Sequence, residues 1–231
     1  MRALTAVDNH GPGLIEHQAS QRYFDRNFSR EAVKILPGEF FVTTRDMLLV
    51  TVLGSCVAAC IRDPERGIGG MNHFMLPDAG SGVMSRSARY GAYAMELLVN
   101  ELIKAGARRS ALQAKVFGGG RVMATLANAN VGERNADFVL DYLANEGIPV
   151  LAQDLLDSHA RKIYFFPHAG RVLMKKLARV NNDTLARRER EYQERLARDD
   201  ASGDSSRWSA FIASRVPIST TLSPGSSTVW P

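Results

Sequence analysis

Thr51-Val52-Leu53-Gly54-Ser55-Cys56-Val57-Ala58-Ala59-Cys60-Ile61 is separated from Ile68-Gly69-Gly70-Met71-Asn72-His73-Phe74-Met75-Leu76-Pro77 by the turn-forming cluster Asp63-Pro64-Glu65-Arg66-Gly67. Two apolar runs flanking such a cluster predict a β-hairpin. Cys56 follows a small, bendable Gly-Ser step, and His73 lies seventeen residues further on. A cysteine and a histidine on neighbouring strands make the simplest nucleophile–base pair. The competing reading is that Cys56 is a small core residue. The register matters here, because side chains alternate between faces of a strand. Pairing Arg62 with Ile68 sets Phe74 opposite Cys56 and turns His73 to the other face. A bulge at Gly69-Gly70 would bring His73 back. A helix beginning near Cys56 is the other solution, its N-terminus stabilising a thiolate.

Outward from this hairpin, Glu39 to Thr43 and Met47 to Val52 read as strands. Tyr90 to Lys104 repeats its apolar residues at helical spacing and ends at Gly106. Leu112 to Phe117 reads as a strand leading into Gly118-Gly119-Gly120. Without the lysine and hydroxyl of a Walker loop, these glycines point to close backbone approach rather than phosphate binding. A second helix is expected from Asn130, with Glu133 reciprocating the cap and Gly147 and Pro149 as the stop. Arg161 to Phe166 and Arg171 to Lys176, joined by Pro167-His168-Ala169-Gly170, form a second hairpin, expected against the sheet that holds Cys56. The predicted fold class is α/β. It is a single-domain α/β sandwich with a mixed or largely antiparallel sheet, two main core helices and a closing C-terminal hairpin.

The domain reading places a polar extension at 1–34, the catalytic domain at 35–180, a charged and largely solvated helix at 181–201 and a disordered Ser/Pro/Thr tail at 202–231. The chain has 231 residues, of which 45% are hydrophobic and 23% charged, the mix of a globular protein. No run is apolar enough to span a bilayer, so no direct membrane insertion is expected, and the N-terminus lacks the apolar core of a secretory signal. Cys56 and Cys60 are the only cysteines, which suits a reducing, cytoplasmic setting. The net charge of +5 comes without an aromatic-studded basic groove, so no nucleic-acid partner is expected. No H-E-x-x-H or paired C-x-x-C pattern occurs, so neither a metal nor an organic cofactor is expected. Asp154 and His159 sit in a loop that either reaches the cysteine pocket or is an exposed linker. Thr51, Ser55 and Asn72 all adjoin the Cys56–His73 pair, and spacing alone does not choose the group that orients the histidine.

The blocks Thr51 to Val57 and Gly69 to Pro77, with Lys115 to Gly120 and Arg161 to Leu177, resemble the CheD family of chemoreceptor glutamine deamidases over about residues 35–178. The resemblance implies Cys56 as nucleophile, His73 as base and Thr51 as third catalytic residue. Gly54, Ser55 and Asn72 are expected to form the substrate or oxyanion region from their place beside the pair, not from the resemblance. It also implies hydrolysis of selected glutamine side chains on methyl-accepting chemotaxis receptors, to glutamate and ammonia through a thioester. Some relatives also bind a chemotaxis phosphatase. One departure stands out. Many relatives carry Asp-Leu-Gly-Gly before the last hairpin, whereas this chain has Asp154-Leu155-Leu156-Asp157. Two rivals use the same residues: a cysteine peptidase or transamidase, and a non-enzymatic receptor-binding adaptor in which Cys56 is core.

Overall fold

The computed structural model describes residues 17–77, 84–122, 130–177 and 183–201. The expected tail at 202–231 and most of the Asp78–Ser87 loop lie outside the described residues. Among the described residues eleven strands and three α-helices follow in the order β1 (His17–Gln18), β2 (Gln21–Asp25), β3 (Arg30–Lys34), β4 (Glu39–Thr43), β5 (Leu48–Leu53), β6 (Val57–Asp63), β7 (Ile68–His73), α1 (Met84–Lys104), β8 (Gln113–Gly118), α2 (Val131–Asn145), β9 (Val150–Leu155), β10 (Ala160–Phe166), β11 (Arg171–Leu177) and α3 (Asp183–Ala201).

The strands form two sheets: one of six, in the order β1-β4-β7-β6-β8-β9, and one of five, in the order β11-β10-β5-β3-β2. Each mixes parallel and antiparallel pairs. This corrects the expected fold class in three respects. There are two mixed sheets rather than one, three helices rather than two, and the described chain ends on α3, not on a closing hairpin. The β10–β11 hairpin pairs into the sheet of Thr51. Neighbouring apolar runs show that strands exist but not which of two sheets each enters, because pairing partners here lie far apart in sequence.

The main core lies between the sheets and under the helices. The two faces of β7 show the layering. His73 meets Thr51 of the five-stranded sheet, while Asn72, one residue earlier, donates to the Ala94 carbonyl of α1. A smaller cluster of Ala32, Leu48, Val50 and Phe166 covers the outer face of the five-stranded sheet. Phe28 packs its ring against Tyr164 and Phe166 there. Strands β1 to β3 add residues ahead of position 35 to both sheets.

Helix α1 stops where glycine was expected to stop it, with Gly106 at φ +105°. Asn130 stands at the N-cap position of α2 but makes no side-chain cap, so the expected capping box is absent. Among the described residues no helix is long and apolar enough to cross a membrane.

Candidate active site

The β6–β7 hairpin pairs Asp63 with Ile68, Arg62 with Gly69 and Cys60 with Met71, and the same register continues to the Val57–Phe74 bridge. The loop is thus one residue shorter than the expected pairing of Arg62 with Ile68. That single step changes the face of every side chain. His73 falls opposite Ala58, and Cys56, two residues along, comes onto the same face with no bulge at Gly69-Gly70. The glycines serve packing instead: a Cβ on Gly70 would lie 2.9 Å from the Leu98 side chain of α1.

His73 is buried, and its Nδ1 lies 2.8 Å from Thr51 Oγ1. The threonine hydroxyl has one proton, and it donates that proton to the Ile35 carbonyl at 2.7 Å. A carbonyl can only accept, so toward the ring the hydroxyl acts as acceptor. His73 therefore carries its proton on Nδ1, and Nε2 presents a lone pair. Nε2 is buried and, among the described residues, has no hydrogen-bond partner. Burial pushes the His73 pKa down to about 4, against the opposing pull of the Ile35 carbonyl and the Glu39 carboxylate. The ring is neutral near pH 7, with its free nitrogen available as a base. Glu39, directly across from His73 on β4, is itself buried and accepts the Leu36 N–H at 2.8 Å.

The Gly54-Ser55-Cys56 turn is held from behind. Its three carbonyls accept from Gly120 N–H at 2.7 Å, Asn135 Nδ2 at 2.8 Å and Gly119 N–H at 2.8 Å, respectively. The three glycines after β8 are thus where backbone meets backbone. A Cβ on Gly118, at φ +118°, would overlap the Cys56 carbonyl oxygen. With the carbonyls tied back, the amides of Gly54, Ser55 and Cys56 point together to the other side and form an anion cradle. In this structure the cradle holds the carboxylate of Glu189 from α3. That carboxylate accepts from Gly54 N at 3.0 Å, Ser55 N at 3.2 Å, Ser55 Oγ at 2.7 Å and Cys56 N at 3.4 Å.

The structure joins His73 to Thr51 and gathers the amides of Gly54, Ser55 and Cys56 around Glu189. Asn72 is not among them. Its Oδ1 accepts the Ala59 N–H at 3.0 Å and its Nδ2 donates to α1, so its side chain fixes hairpin to helix on the opposite face. Cys60 is a core thiol, which burial pushes well above the ordinary range despite the pull of Lys115. Among the described residues no cluster of His, Cys, Asp or Glu could hold a metal ion. Asp154 and His159 serve the loop before β10. The fully buried guanidinium of Arg161 is bound by the Asp154 carboxylate and the Leu156 and His159 carbonyls. In that loop Leu156 and Asp157 take φ +64° and +71°. These are the two positions where many relatives were expected to carry glycine, and the left-handed turn is retained without it.

Sequence reasoning missed Asn135, Glu39 and Glu189. Asn135 lies in the buried stripe of α2 with Val131, Val139 and Tyr142, and bridges Ser55 O to Leu76 N. A polar residue at an apolar stripe position was the available signal. The same signal marked Glu189, which falls between Leu185 and Tyr192 on the thin apolar side of α3.

Residues 75–176 match the family model described as CheD chemotactic sensory transduction, a span that begins just after His73. The similarity of whole chains reaches further. The "Probable chemoreceptor glutamine deamidase CheD 1" of Dechloromonas aromatica is 63% identical over 190 residues, covering 82% of this chain and 94% of that protein. A match of that length in a 231-residue chain takes in residues 51 to 73. The "Probable chemoreceptor glutamine deamidase CheD" of Herminiimonas arsenicoxydans is 58% identical over 192 residues, covering 82% of this chain and 95% of that protein. Among solved structures, the hypothetical protein YfiH of Bacillus licheniformis aligns at a TM-score of 0.32 and 15% identity, covering 52% of this chain and 49% of that one. At 58–63% identity across nearly the full length of these relatives, the chain belongs to the CheD family.

Proposed function

We propose that Cys56, His73 and Thr51 carry out glutamine deamidation on chemoreceptors, with Cys56 as nucleophile, His73 Nε2 as its base and Thr51 as the residue that sets the histidine tautomer. The chain is a chemoreceptor glutamine deamidase, a hydrolase of linear amides that acts in chemotaxis. The observation that carries the catalytic assignment is the chain of hydrogen bonds from Ile35 O through Thr51 Oγ1 to His73 Nδ1, which leaves Nε2 as a bare, buried lone pair.

Nε2 takes the Cys56 proton as sulfur attacks the side-chain amide carbon of a receptor glutamine. The buried Glu39 carboxylate then favours the imidazolium that forms, since it already pulls the His73 pKa upward. The amides of Gly54, Ser55 and Cys56 receive the oxyanion in this reading, supported by carbonyl contacts to Gly119, Gly120 and Asn135 that fix their directions. The imidazolium returns its proton to nitrogen, ammonia leaves, and a thioester on Cys56 remains. Water, deprotonated by Nε2, cleaves the thioester to glutamate and free thiol. The substrates are methyl-accepting receptors, whose new glutamates become methylation sites. Stoichiometric alkylation of Cys56 tests the assignment. It should abolish ammonia release from receptor cytoplasmic fragments, and full release from a Cys56-alkylated protein would exclude Cys56 as nucleophile.

A further inference from the structure

The cradle that would receive the oxyanion is filled by the chain itself. Helix α3 turns one side inward: Leu185, Glu189, Tyr192 and Leu196, at intervals of four, three and four, fall on one helical face. Glu189 is fully buried, and Tyr192 and Leu196 are each 2% exposed, while Arg187, Arg190, Glu191, Glu194, Arg195 and Arg198 face solvent. Two further contacts seat the helix. The Tyr192 hydroxyl meets that of Tyr90 on α1, and Arg195 donates to the Pro37 carbonyl at 3.4 Å. A helix this polar has little apolar surface with which to hold itself down. The centre of its contact is the Glu189 carboxylate, which takes three backbone amides and one hydroxyl around the cysteine.

The chemistry of that contact is specific. Deamidation converts a glutamine side chain into a glutamate side chain, and its carboxylate is released from Cys56 beside these same amides. Glu189 has the length, the charge and the helical setting of that product. We propose that α3 is a tethered product mimic that closes the active site, and that the groove it fills is the docking site of the substrate helix. This rests on the deamidase reading above. A substrate helix would displace α3 and present its glutamine where Glu189 sits, with apolar residues three and seven positions further on, where Tyr192 and Leu196 now pack. The unmodified glutamine is neutral and the product is anionic, so the cradle retains a carboxylate more tightly than an amide.

The test uses the full chain with Glu189→Ala and, separately, Leu196→Asp, which loosens α3 without altering the cradle. Alkylation of each cysteine by iodoacetamide is followed by peptide mass spectrometry, and buried Cys60 reports that the sheet remains folded. Cys56 should react about tenfold faster or more in both variants, a coupling of ordinary allosteric size, while Cys60 stays unlabelled. Initial rates of receptor-fragment deamidation should rise in both variants as well. Unchanged Cys56 alkylation in both variants, with Cys60 protected, overturns the proposal. So does a deamidation rate that falls in both, which would make Glu189 a support of the Gly54–Cys56 turn instead. Faster alkylation with no deamidation by any form leaves the closure standing and overturns the deamidase reading alone.

Discussion

Replacing Thr51 by valine keeps its shape and removes its hydroxyl. In the wild type that oxygen donates to Ile35 O at 2.7 Å and accepts from His73 Nδ1 at 2.8 Å, in a site where Thr51 and His73 are each 1% exposed. Valine loses both bonds and leaves two buried polar groups short of a partner. Each such group costs about 1–3 kcal/mol, so a total of about 2–6 kcal/mol is expected, or a drop in Tm of roughly 4–24 °C for a chain of this size. The effect on chemistry is separate. Without the acceptor, Nδ1–H no longer defines the tautomer, and a share of the rings places its proton on Nε2, where it cannot serve as a base. A weakened preference of about 1.5–3 kcal/mol corresponds to a loss of about 10- to 100-fold in kcat, with KM little changed because Thr51 does not touch substrate. Thr51→Ser restores the hydroxyl and should recover most of the rate. The assay is steady-state deamidation of a receptor fragment alongside thermal unfolding of the three proteins. If Thr51→Val kept kcat within twofold of wild type, or if serine rescued no better than valine, the tautomer argument would be wrong.

The depressed pKa of His73 sets a pH dependence of stability. The folded value of about 4 lies below the ordinary 6.5, so the unfolded chain binds the proton first. The His73 contribution is complete above pH 6.5 and is lost as pH falls toward 4, about 3 kcal/mol in all; urea unfolding from pH 7 to 4.5 should show it in wild type and not in His73→Gln. Asn135→Ala removes the bridge between Ser55 O and Leu76 N, and should cost about 2–6 kcal/mol on the same scale while lowering activity through the misplaced turn. Leu156→Gly relieves a left-handed φ of +64° and should raise Tm by about 1–2 °C after the entropy of glycine is subtracted. Asp157→Gly should bring no gain, because it also removes the carboxylate that accepts from Ser158 N and Lys176 Nζ. Glu189→Gln should turn α3 into a substrate in cis, gaining about one dalton at residue 189 through Cys56 chemistry; absence of that gain would place the Glu189 carbonyl carbon outside the reach of the thiol.

What could be read in the chain was set by local rules. The two turn clusters at Asp63–Gly67 and Pro167–Gly170 located both hairpins, and the helical spacing after Tyr90 located α1. The register at the site was a finer matter. One residue at the β6–β7 loop decided which face of the hairpin His73 takes, and composition does not count loop residues. The division into two sheets depended on pairings such as β5 with β10, whose residues are more than a hundred positions apart. Helix α3 was legible as a helix from its dense Arg and Glu and the thin apolar side of Leu185, Tyr192 and Leu196. Its docking was not, since burial of Glu189 depends on a ring of amide donors assembled from a turn 133 to 135 residues away. Asn72 shows the converse: adjacency to His73 in sequence places it on the other face of the strand.

The central claim is that Cys56, activated by His73, converts receptor glutamine to glutamate. Peptide mass spectrometry of cognate receptor fragments, incubated with wild type and with Cys56→Ser without added metal or nucleotide, tests it most directly. Wild type should add about one dalton at particular glutamines, as expected for amide hydrolysis with loss of ammonia, while Cys56→Ser leaves them unchanged and Cys60→Ser behaves as wild type. The same mass pattern from wild type and Cys56→Ser would contradict the account.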